Sequence, residues 1–278
     1  MNKLRDGKNQ FSVSALLKQI VTLLAMAALG LAGAAAEAQI NGFGGNGAGW
    51  TLNTNPNYGS GGGAPPSVSS DVLNIINGYY GDNSAFYDTP QNISSFTVSF
   101  VWQNTTGPGV GINPADGLTF TLQNQGPTAL GTGGGGLGYE GITPASGVAF
   151  NLYSYGHVVG LGYAPVSTGN GSSSYQSTGP VNFDSTDPIS VQITYSGNLL
   201  NVAVEDLTTS ARYNTSFSVN VPTDAGGNTA FVGFTGGSGG GASDQTVSDF
   251  QFIPEPSSFL LVALGGVPLI ALLRRKCG

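Results

Sequence analysis

Short runs in which apolar and polar residues alternate one by one restrict the fold of this 278-residue chain more than any other feature. Runs of this kind begin at Phe96, Leu118, Val148, Ile189 and Leu200. A period of two sends successive side chains to opposite faces of a strand. Each run therefore predicts a β-strand with one buried face and one solvated face, as in antiparallel sheets.

The segments between these runs complete an all-β pattern. The polar gap 196–198 between two alternating runs predicts a hairpin, and further strands are expected at 50–53 and 217–221. No long amphipathic helix is expected between 39 and 253, although 71–76 could form one short helical turn. Many short strands with glycine-rich turns predict an antiparallel β-sandwich or jelly roll.

The apolar members of these runs should form the core between two sheets. Truncating one of these Phe, Val or Ile side chains should cost about 1–5 kcal/mol. The expected core residues are Phe96, Val98, Phe100, Phe120, Val148, Phe150, Val191, Ile193, Val202, Val204, Val232 and Phe234.

The N-terminus has the three parts of a secretory signal. Four basic residues lie within the first 18 positions, the apolar stretch 20–31 follows, and Ala36-Glu37-Ala38 fits the small-x-small cleavage pattern. These features predict a Sec-type signal peptide over 1–38, cleaved after Ala38. An uncleaved membrane anchor is the alternative.

The C-terminal segment 254–278 carries a second targeting pattern. A Pro-Glu-Pro triplet precedes the apolar stretch 259–273 and a basic end. Fifteen apolar residues make a short transmembrane helix against the roughly 20 of a full span. The arrangement resembles the bacterial PEP-CTERM sorting signal. The residues that carry this resemblance are Pro254, Glu255, Pro256, Arg274 and Arg275. It implies transient inner-membrane anchoring, cleavage by an exosortase-type enzyme, and delivery to the cell envelope or the exterior. A plain membrane anchor is the alternative.

The segment 39–253 forms the expected single domain and is strongly acidic. It contains twelve Asp and Glu residues against Arg212 alone, a formal charge of −11 with histidine neutral. Such a surface repels phosphate groups, which excludes nucleic acid as a partner. The only cysteine, Cys277, lies in the tail, so the domain must be stabilised without disulfides.

Four motifs in order along the chain resemble the legume-lectin (L-type lectin) β-sandwich. They are Ala115-Asp116-Gly117, the glycine-rich loop 133–138, the strand 148–153 and the segment 230–239. The resemblance covers about 90–252 and implies a concanavalin-like jelly roll with a carbohydrate site.

The resemblance also implies roles for particular residues. Asp116 would follow a cis peptide and accept hydrogen bonds from sugar hydroxyls, and a backbone amide of Gly134, Gly135 or Gly136 would donate to the same sugar. An aromatic ring would pack on the apolar face of the sugar. The aromatic candidates are Tyr139, Tyr153 and Tyr155. Tyr155 occupies the position of the sugar-binding Asn of the family.

The metal half of the family pattern is degenerate in this chain. Ala149 replaces a glutamate, and Asn151 replaces the first aspartate of the paired calcium and manganese site. Calcium needs about six to eight oxygen ligands, usually including carboxylates, so we expect no metal cofactor. The alternative is a calcium site supplied from loops by Asp184, Asp187 or Glu140.

These features predict a non-catalytic protein that binds a polysaccharide or glycoconjugate. His157 is the only histidine, and no nucleophile motif accompanies it, so we expect no enzyme activity. The adjacent Glu205 and Asp206 point to opposite faces of a strand, and both are expected to be solvated. The alternative function is a structural protein of the extracellular matrix that uses the fold as a scaffold. The resemblance also leaves a homodimer open, formed edge to edge.

Overall fold

The computed structural model describes residues 39–59, 63–105, 114–154, 158–164, 174–241 and 243–255. Over these residues the chain is an antiparallel β-sandwich of two stacked sheets, which confirms the predicted fold class. The predicted signal peptide 1–38 and the apolar stretch 259–273 lie outside the described residues. Among the helices that are described, none has the length and apolar character needed to cross a membrane.

We call the first sheet the back sheet. Its central path, numbered in chain order and given in spatial order, is β14 (Arg212–Ser218), β13 (Leu199–Asp206), β12 (Ile189–Ser196), β7 (Phe96–Thr105), β16 (Asp244–Pro254), β4 (Val72–Ile76) and β3 (Ser67–Ser69). The short strand β1 (Ile40–Asn41) pairs with β16. The long neighbours β7 and β16 form the middle of this sheet.

We call the second sheet the front sheet. Its central path is β11 (Gln176–Ser177), β10 (Gly160–Ala164), β9 (Ala145–Asn151), β8 (Gly117–Gln123), β15 (Thr229–Gly237), β5 (Asp82–Tyr87) and β2 (Trp50–Thr54). The short strand β6 (Gln91–Asn92) pairs with β15. The strand expected at 50–53 is therefore confirmed as β2.

Helical structure in the described residues is limited to short turns. The helix α1 (Val221–Asp224) is capped by Asn220, whose side-chain oxygen accepts a hydrogen bond from the Thr223 amide. A 3₁₀ turn covers Gly134–Gly136, and a four-residue turn covers Gly44–Gly47.

The core lies between the two sheets, and every expected core residue is buried there. Phe234 of β15 shows how the sheets interdigitate. Its ring centroid lies 5.1 Å from that of Phe100 and 5.2 Å from that of Phe250, both on the back sheet, and 5.8 Å from that of Phe120 on the front sheet. Edge-to-face ring pairs of this kind add stabilisation beyond the burial of apolar area.

The predicted solvated face is correct for the back sheet and wrong for the centre of the front sheet. Residues of β7 alternate between buried and half-buried along its whole length. All residues of β8 and β9 are buried, including Thr119 and Thr121. The loop between β8 and β9 explains the difference, because its Leu137, Tyr139 and Ile142 form a second apolar cluster with front-sheet residues.

Three local predictions are corrected by the structure. The strand expected at 217–221 ends at Ser218, because Asn220 caps the helix α1 that begins at Val221. The helical turn expected at 71–76 is the strand β4, held between β3 and β16. Asp206 is buried at 3% exposure instead of solvated, because its carboxylate accepts hydrogen bonds from the amides of Thr208 and Thr209.

The hairpin expected at 196–198 joins β12 to β13 through a two-residue turn. Gly197 and Asn198 have φ angles of +57° and +70°, the left-handed conformation of the favoured hairpin turn. The opposite-facing placement of Glu205 and Asp206 is also observed: Glu205 forms a 2.9 Å ion pair with Arg212 on β14.

The last strand continues into the first residues of the predicted sorting segment. Pro254 is buried, pairs with Phe96 and is the final residue of β16. The Glu255 amide donates to the Ser95 carbonyl over 2.8 Å. The other residues of the predicted signal, Pro256, Arg274 and Arg275, lie outside the described residues.

Candidate functional site

A row of strand ends at one end of the front sheet positions the candidate site. Asn151 of β9 pairs with Gly117 of β8, Gly117 pairs with Gly237 of β15, and Gly237 pairs with Asp82 of β5. Neighbouring strands are about 4.8 Å apart, so β8 and β5 are separated by about 10 Å. Residues that are remote in sequence therefore meet at this sheet end.

Asp116 is fixed immediately before β8 by hydrogen bonds of its backbone. Its amide donates to the Gly237 carbonyl over 3.0 Å, and its carbonyl accepts from the Leu152 amide over 2.8 Å. The Ala115–Asp116 peptide is cis, as the family resemblance implied. The residue is 6% exposed. Its carboxylate is thus held at a defined position at the sheet end.

Gly117 is required by its close contact with β9. Its φ angle is +143°, and an added Cβ atom would lie 2.0 Å from the Phe150 carbonyl oxygen. A side chain at this position would clash with fixed backbone. Substitution at Gly117 would therefore displace the strand that carries Asp116.

The glycine-rich loop folds back against the end of β15. Its 3₁₀ turn is closed by hydrogen bonds from the Gly136 amide to the Gly133 carbonyl and from the Leu137 amide to the Gly134 carbonyl. A Cβ atom added at Gly237 would lie 2.4 Å from the Gly134 carbonyl oxygen. The two glycine-rich segments thus touch through backbone atoms, which side chains would prevent.

Tyr58, which no sequence motif indicated, lies over this loop. A Cβ atom added at Gly134 would lie 2.5 Å from the Tyr58 hydroxyl oxygen and 3.7 Å from Asp116 Oδ2. A Cβ atom added at Gly133 would lie 2.8 Å from Tyr58 Cε1 and 2.8 Å from Asp82 Cβ. The ring therefore extends from Asp82 at one side towards Asp116 at the other. We call Asp116, Tyr58, Asp82, Gly133 and Gly134 the Asp116 site.

Asp82 contributes a second carboxylate to this site. It is 2% exposed, and its Oδ2 accepts a hydrogen bond of 3.1 Å from the Asn55 amide group. Its buried Oδ1 has no hydrogen-bond partner among the described residues. Burial raises the pKa of Asp82, and hydrogen bonds from Asn55 and the Gly133 amide act in the opposite direction.

The two carboxylates act on the neighbouring tyrosines. Burial raises the pKa of Tyr58, and the negative charges of Asp116 and Asp82 raise it further. Burial and Asp116 also raise the pKa of Tyr175. Both phenols therefore remain protonated at neutral pH, and the Tyr58 hydroxyl is a hydrogen-bond donor and acceptor at the site.

The three candidate glycines occupy different environments. Gly134 is buried beside Asp116 and Tyr58. Gly135 is half-buried at the tip of the turn. Gly136 is buried, its amide is used within the turn, and its Cα faces Thr132 and Glu140. Of the three glycines, Gly134 is the one that the structure places beside Asp116.

The three candidate aromatic residues do not all face the site. Tyr139 is 1% exposed within the second apolar cluster, so its ring packs in the protein and is closed to a ligand. Tyr153 is half-buried, and Tyr155 lies outside the described residues. Tyr58 was missed because it lies in a polar turn 58 residues before Asp116 and matches no motif of the resemblance.

The positions of the paired metal site hold groups that do not fit calcium and manganese. Ala149 is buried in the second apolar cluster. The side-chain amide of Asn151 donates two hydrogen bonds of 2.9 Å, to the carbonyls of Tyr153 and Val158. No cluster of three His, Cys, Asp or Glu residues suited to a metal occurs in the described part of the chain, which includes Glu140, Asp184 and Asp187.

Comparison with known proteins gives a structural likeness. No protein-family model matches the sequence. Lectin II from Ulex europaeus superposes with a TM-score of 0.62 at 18% identity, covering 79% of this chain and 99% of that one. The chain has the legume-lectin fold. Basic winged bean lectin, solved with Tn-antigen, gives a TM-score of 0.61 at 19% identity, covering 77% of this chain and 97% of that one.

The same fold occurs in a lectin-like defence protein. Arcelin-5 from Phaseolus vulgaris matches with a TM-score of 0.58 at 18% identity, covering 78% of this chain and 98% of its own. In each of these three comparisons the superposition covers at least 97% of the plant protein.

Proposed function

We propose that this protein is a non-catalytic, lectin-like protein that binds a polysaccharide or glycoconjugate at the Asp116 site. The observation that carries the proposal is the fixed Asp116 carboxylate beside the backbone of Gly134 and the ring of Tyr58. Among proteins of the same fold, lectin UEA-II was solved with galactose and basic winged bean lectin with Tn-antigen. These complexes support a carbohydrate ligand.

The chemistry of the site suits a sugar hydroxyl pair. A carboxylate accepts hydrogen bonds from two hydroxyl groups, and glycine backbone lets a sugar ring approach an amide closely. Tyr58 adds a hydroxyl that both donates and accepts, together with an aromatic ring beside the same carboxylate. No metal takes part in this proposal, because the residues at the family's metal positions do not fit one.

We further propose that the protein is exported by its Sec-type signal and sorted by its PEP-CTERM segment. After transient anchoring in the inner membrane, an exosortase-type enzyme would release it to the cell envelope or the exopolysaccharide. The motifs at 36–38 and 254–256 support this route. Mass spectrometry of the protein from its native cells would test it: termini at Gln39 and near Pro256 are expected, and an intact Met1 would contradict it.

A glycan array tests the binding function. The purified protein should bind a subset of glycans equally with calcium and with chelator. Asp116→Asn should weaken binding at least about tenfold, since hydrogen bonds to a charged group contribute roughly 1.5–3 kcal/mol. Asp88→Asn is the matched control: Asp88 is an exposed acid that follows the far end of β5, and its change should leave binding unaltered.

A structural role in the extracellular matrix is the second candidate. The loss of carboxylates at positions 149 and 151 favours it, because that loss removes the metal support the lectin resemblance implies. The same array separates the two functions. Absence of binding to every glycan, by a protein shown to be folded, would favour the scaffold and refute the carbohydrate site.

A further inference from the structure

The Asp116 site contains two carboxylates in a domain with almost no positive charge. Between residues 39 and 255 the only Lys or Arg is Arg212, and it is already paired with Glu205 over 2.9 Å. That pair lies on β13 and β14 of the back sheet, whereas the site lies at the end of the front sheet. Neither a described segment nor an adjacent loop can therefore bring a Lys or Arg side chain to the site.

The two carboxylates act on the same small volume. A Cβ atom added at Gly134 would lie 2.5 Å from the Tyr58 hydroxyl and 3.7 Å from Asp116 Oδ2, and one added at Gly133 would lie 2.8 Å from both Tyr58 and Asp82. Asp82 is 2% exposed, and its Oδ1 has no hydrogen-bond partner in the described part of the chain. Asn55 and the Gly133 amide hydrogen-bond to its carboxylate, but no Lys or Arg of the described residues pairs with it, so its charge is not neutralised and is little screened by water. Burial is the main cause of the raised pKa of Tyr58, and the charges of Asp116 and Asp82 raise it further.

We infer that the Asp116 site selects its saccharides by charge, accepting neutral and amine-bearing sugars and rejecting uronic acids. The inference rests on the proposed carbohydrate function and adds the class of ligand. A neutral sugar donates hydroxyls to Asp116 and loses nothing to the field of Asp82. An ammonium group gains from both charges, whereas a sugar carboxylate meets two like charges and no Lys or Arg of the described residues.

Asp82 is a specificity-determining residue in this scheme without being a ligand contact. Its side chain is almost fully buried, and one carboxylate oxygen accepts a hydrogen bond from Asn55. It therefore acts on the ligand through space and by fixing Tyr58 and Gly133 around Asp116. Its effect should appear as a change in the ratio of affinities for sugars of different charge.

Matched sugars on one scaffold test the inference with the full chain. Glucose, glucosamine and glucuronic acid form one set, and galactose, galactosamine and galacturonic acid form another. Calorimetry at low salt should show that, in the set that binds, the amino sugar (glucosamine or galactosamine) has the highest affinity. The uronic acid should bind at least about tenfold more weakly than the neutral sugar. Added salt should leave most of these differences in place, because Asp82 is buried and its charge is therefore screened little by mobile ions.

Variants identify the source of the discrimination. Asp82→Asn should reduce the ratio of neutral to acidic affinity several-fold, whereas Asp88→Asn, at the other end of the same strand, should leave that ratio unchanged. If Asp82→Asn fails to fold, the affinities of the unmodified protein for the neutral and the acidic sugar still test the inference. Equal affinities for the neutral and acidic sugars would overturn the inference alone. Absence of binding to every neutral, amino and acidic sugar would overturn the proposed function as well.

Discussion

Asp82→Asn should make the protein more stable at neutral pH although it alters the candidate site. The wild-type carboxylate is buried with Oδ1 unpaired, while Oδ2 accepts from Asn55. Asparagine keeps an acceptor for Asn55 and removes the buried charge. The unpaired position remains polar in asparagine, but an unpaired buried group costs more when it is charged than when it is neutral. We therefore expect the free energy of unfolding to rise by about 1 kcal/mol at pH 7.

The pH dependence follows from the direction of the pKa shift. Burial raises the pKa of Asp82 in the folded protein above the roughly 3.9 of an unfolded aspartate. Between these values the folded state binds more protons, so the contribution of Asp82 to stability increases as the pH falls. The advantage of Asp82→Asn should therefore be largest at pH 7 and shrink as the pH falls through the folded pKa towards 4.

Urea unfolding followed by tryptophan fluorescence measures this effect, since Trp50 and Trp102 are both buried. Series at pH 7, 5.5 and 4 would compare the wild type with Asp82→Asn and with Asp88→Asn. The exposed Asp88 should give a change within about 0.5 kcal/mol at each pH. The reasoning is refuted if Asp82→Asn is less stable than the wild type at pH 7, or if its advantage does not vary with pH.

Three further changes test the fold and its polar contacts by the same unfolding assay. Phe234→Ala should cost about 3–5 kcal/mol because its ring is fully buried among four others, whereas Phe217→Ala on the edge strand β14 should cost less; equal losses would contradict the packing. Asp206→Ala should cost about 1–2 kcal/mol at pH 7. The Thr209 amide lowers the pKa of Asp206 in the folded protein, so this stabilisation is present above about pH 3.9 and disappears as the pH falls through the pKa of the folded state. A cost that does not vary with pH would contradict this reasoning. Tyr163→Phe removes the hydroxyl that donates to Asp224 and should cost about 1–3 kcal/mol; unchanged stability would show that this contact contributes nothing.

The sequence predicted the back sheet better than the front sheet for a physical reason. Runs such as Phe96–Trp102 and Ile189–Tyr195 have one solvated face, so their burial is visible as alternation. Thr119 and Thr121 also look like solvated positions, yet the loop with Leu137 and Tyr139 covers them. Which face a long loop covers depends on tertiary packing, and a local period does not contain that information.

Only part of the candidate site could be predicted from the sequence. Asp116 and the glycine loop lie in motifs with a recognisable order. Asp82, 34 residues before Asp116, joins them through strand register, and Tyr58, 58 residues before it, joins them through the turn that follows β2. Their turn and strand contain no pattern of their own. A buried carboxylate with an unpaired oxygen is likewise a property of the folded environment, and composition alone does not reveal it.

The junction of β16 with the tail has a mechanical consequence. β16 is an eleven-residue strand that pairs with β7 on one side and with β4 and β1 on the other, and its last residue is Pro254. Antiparallel hydrogen bonds lie perpendicular to the strand, so a pull along it loads them together in shear instead of opening them one at a time. A tether attached after Glu255 would therefore pull on a strand that is hydrogen-bonded along both of its edges. Force applied by a surface-bound polymer would be resisted by the middle of the back sheet.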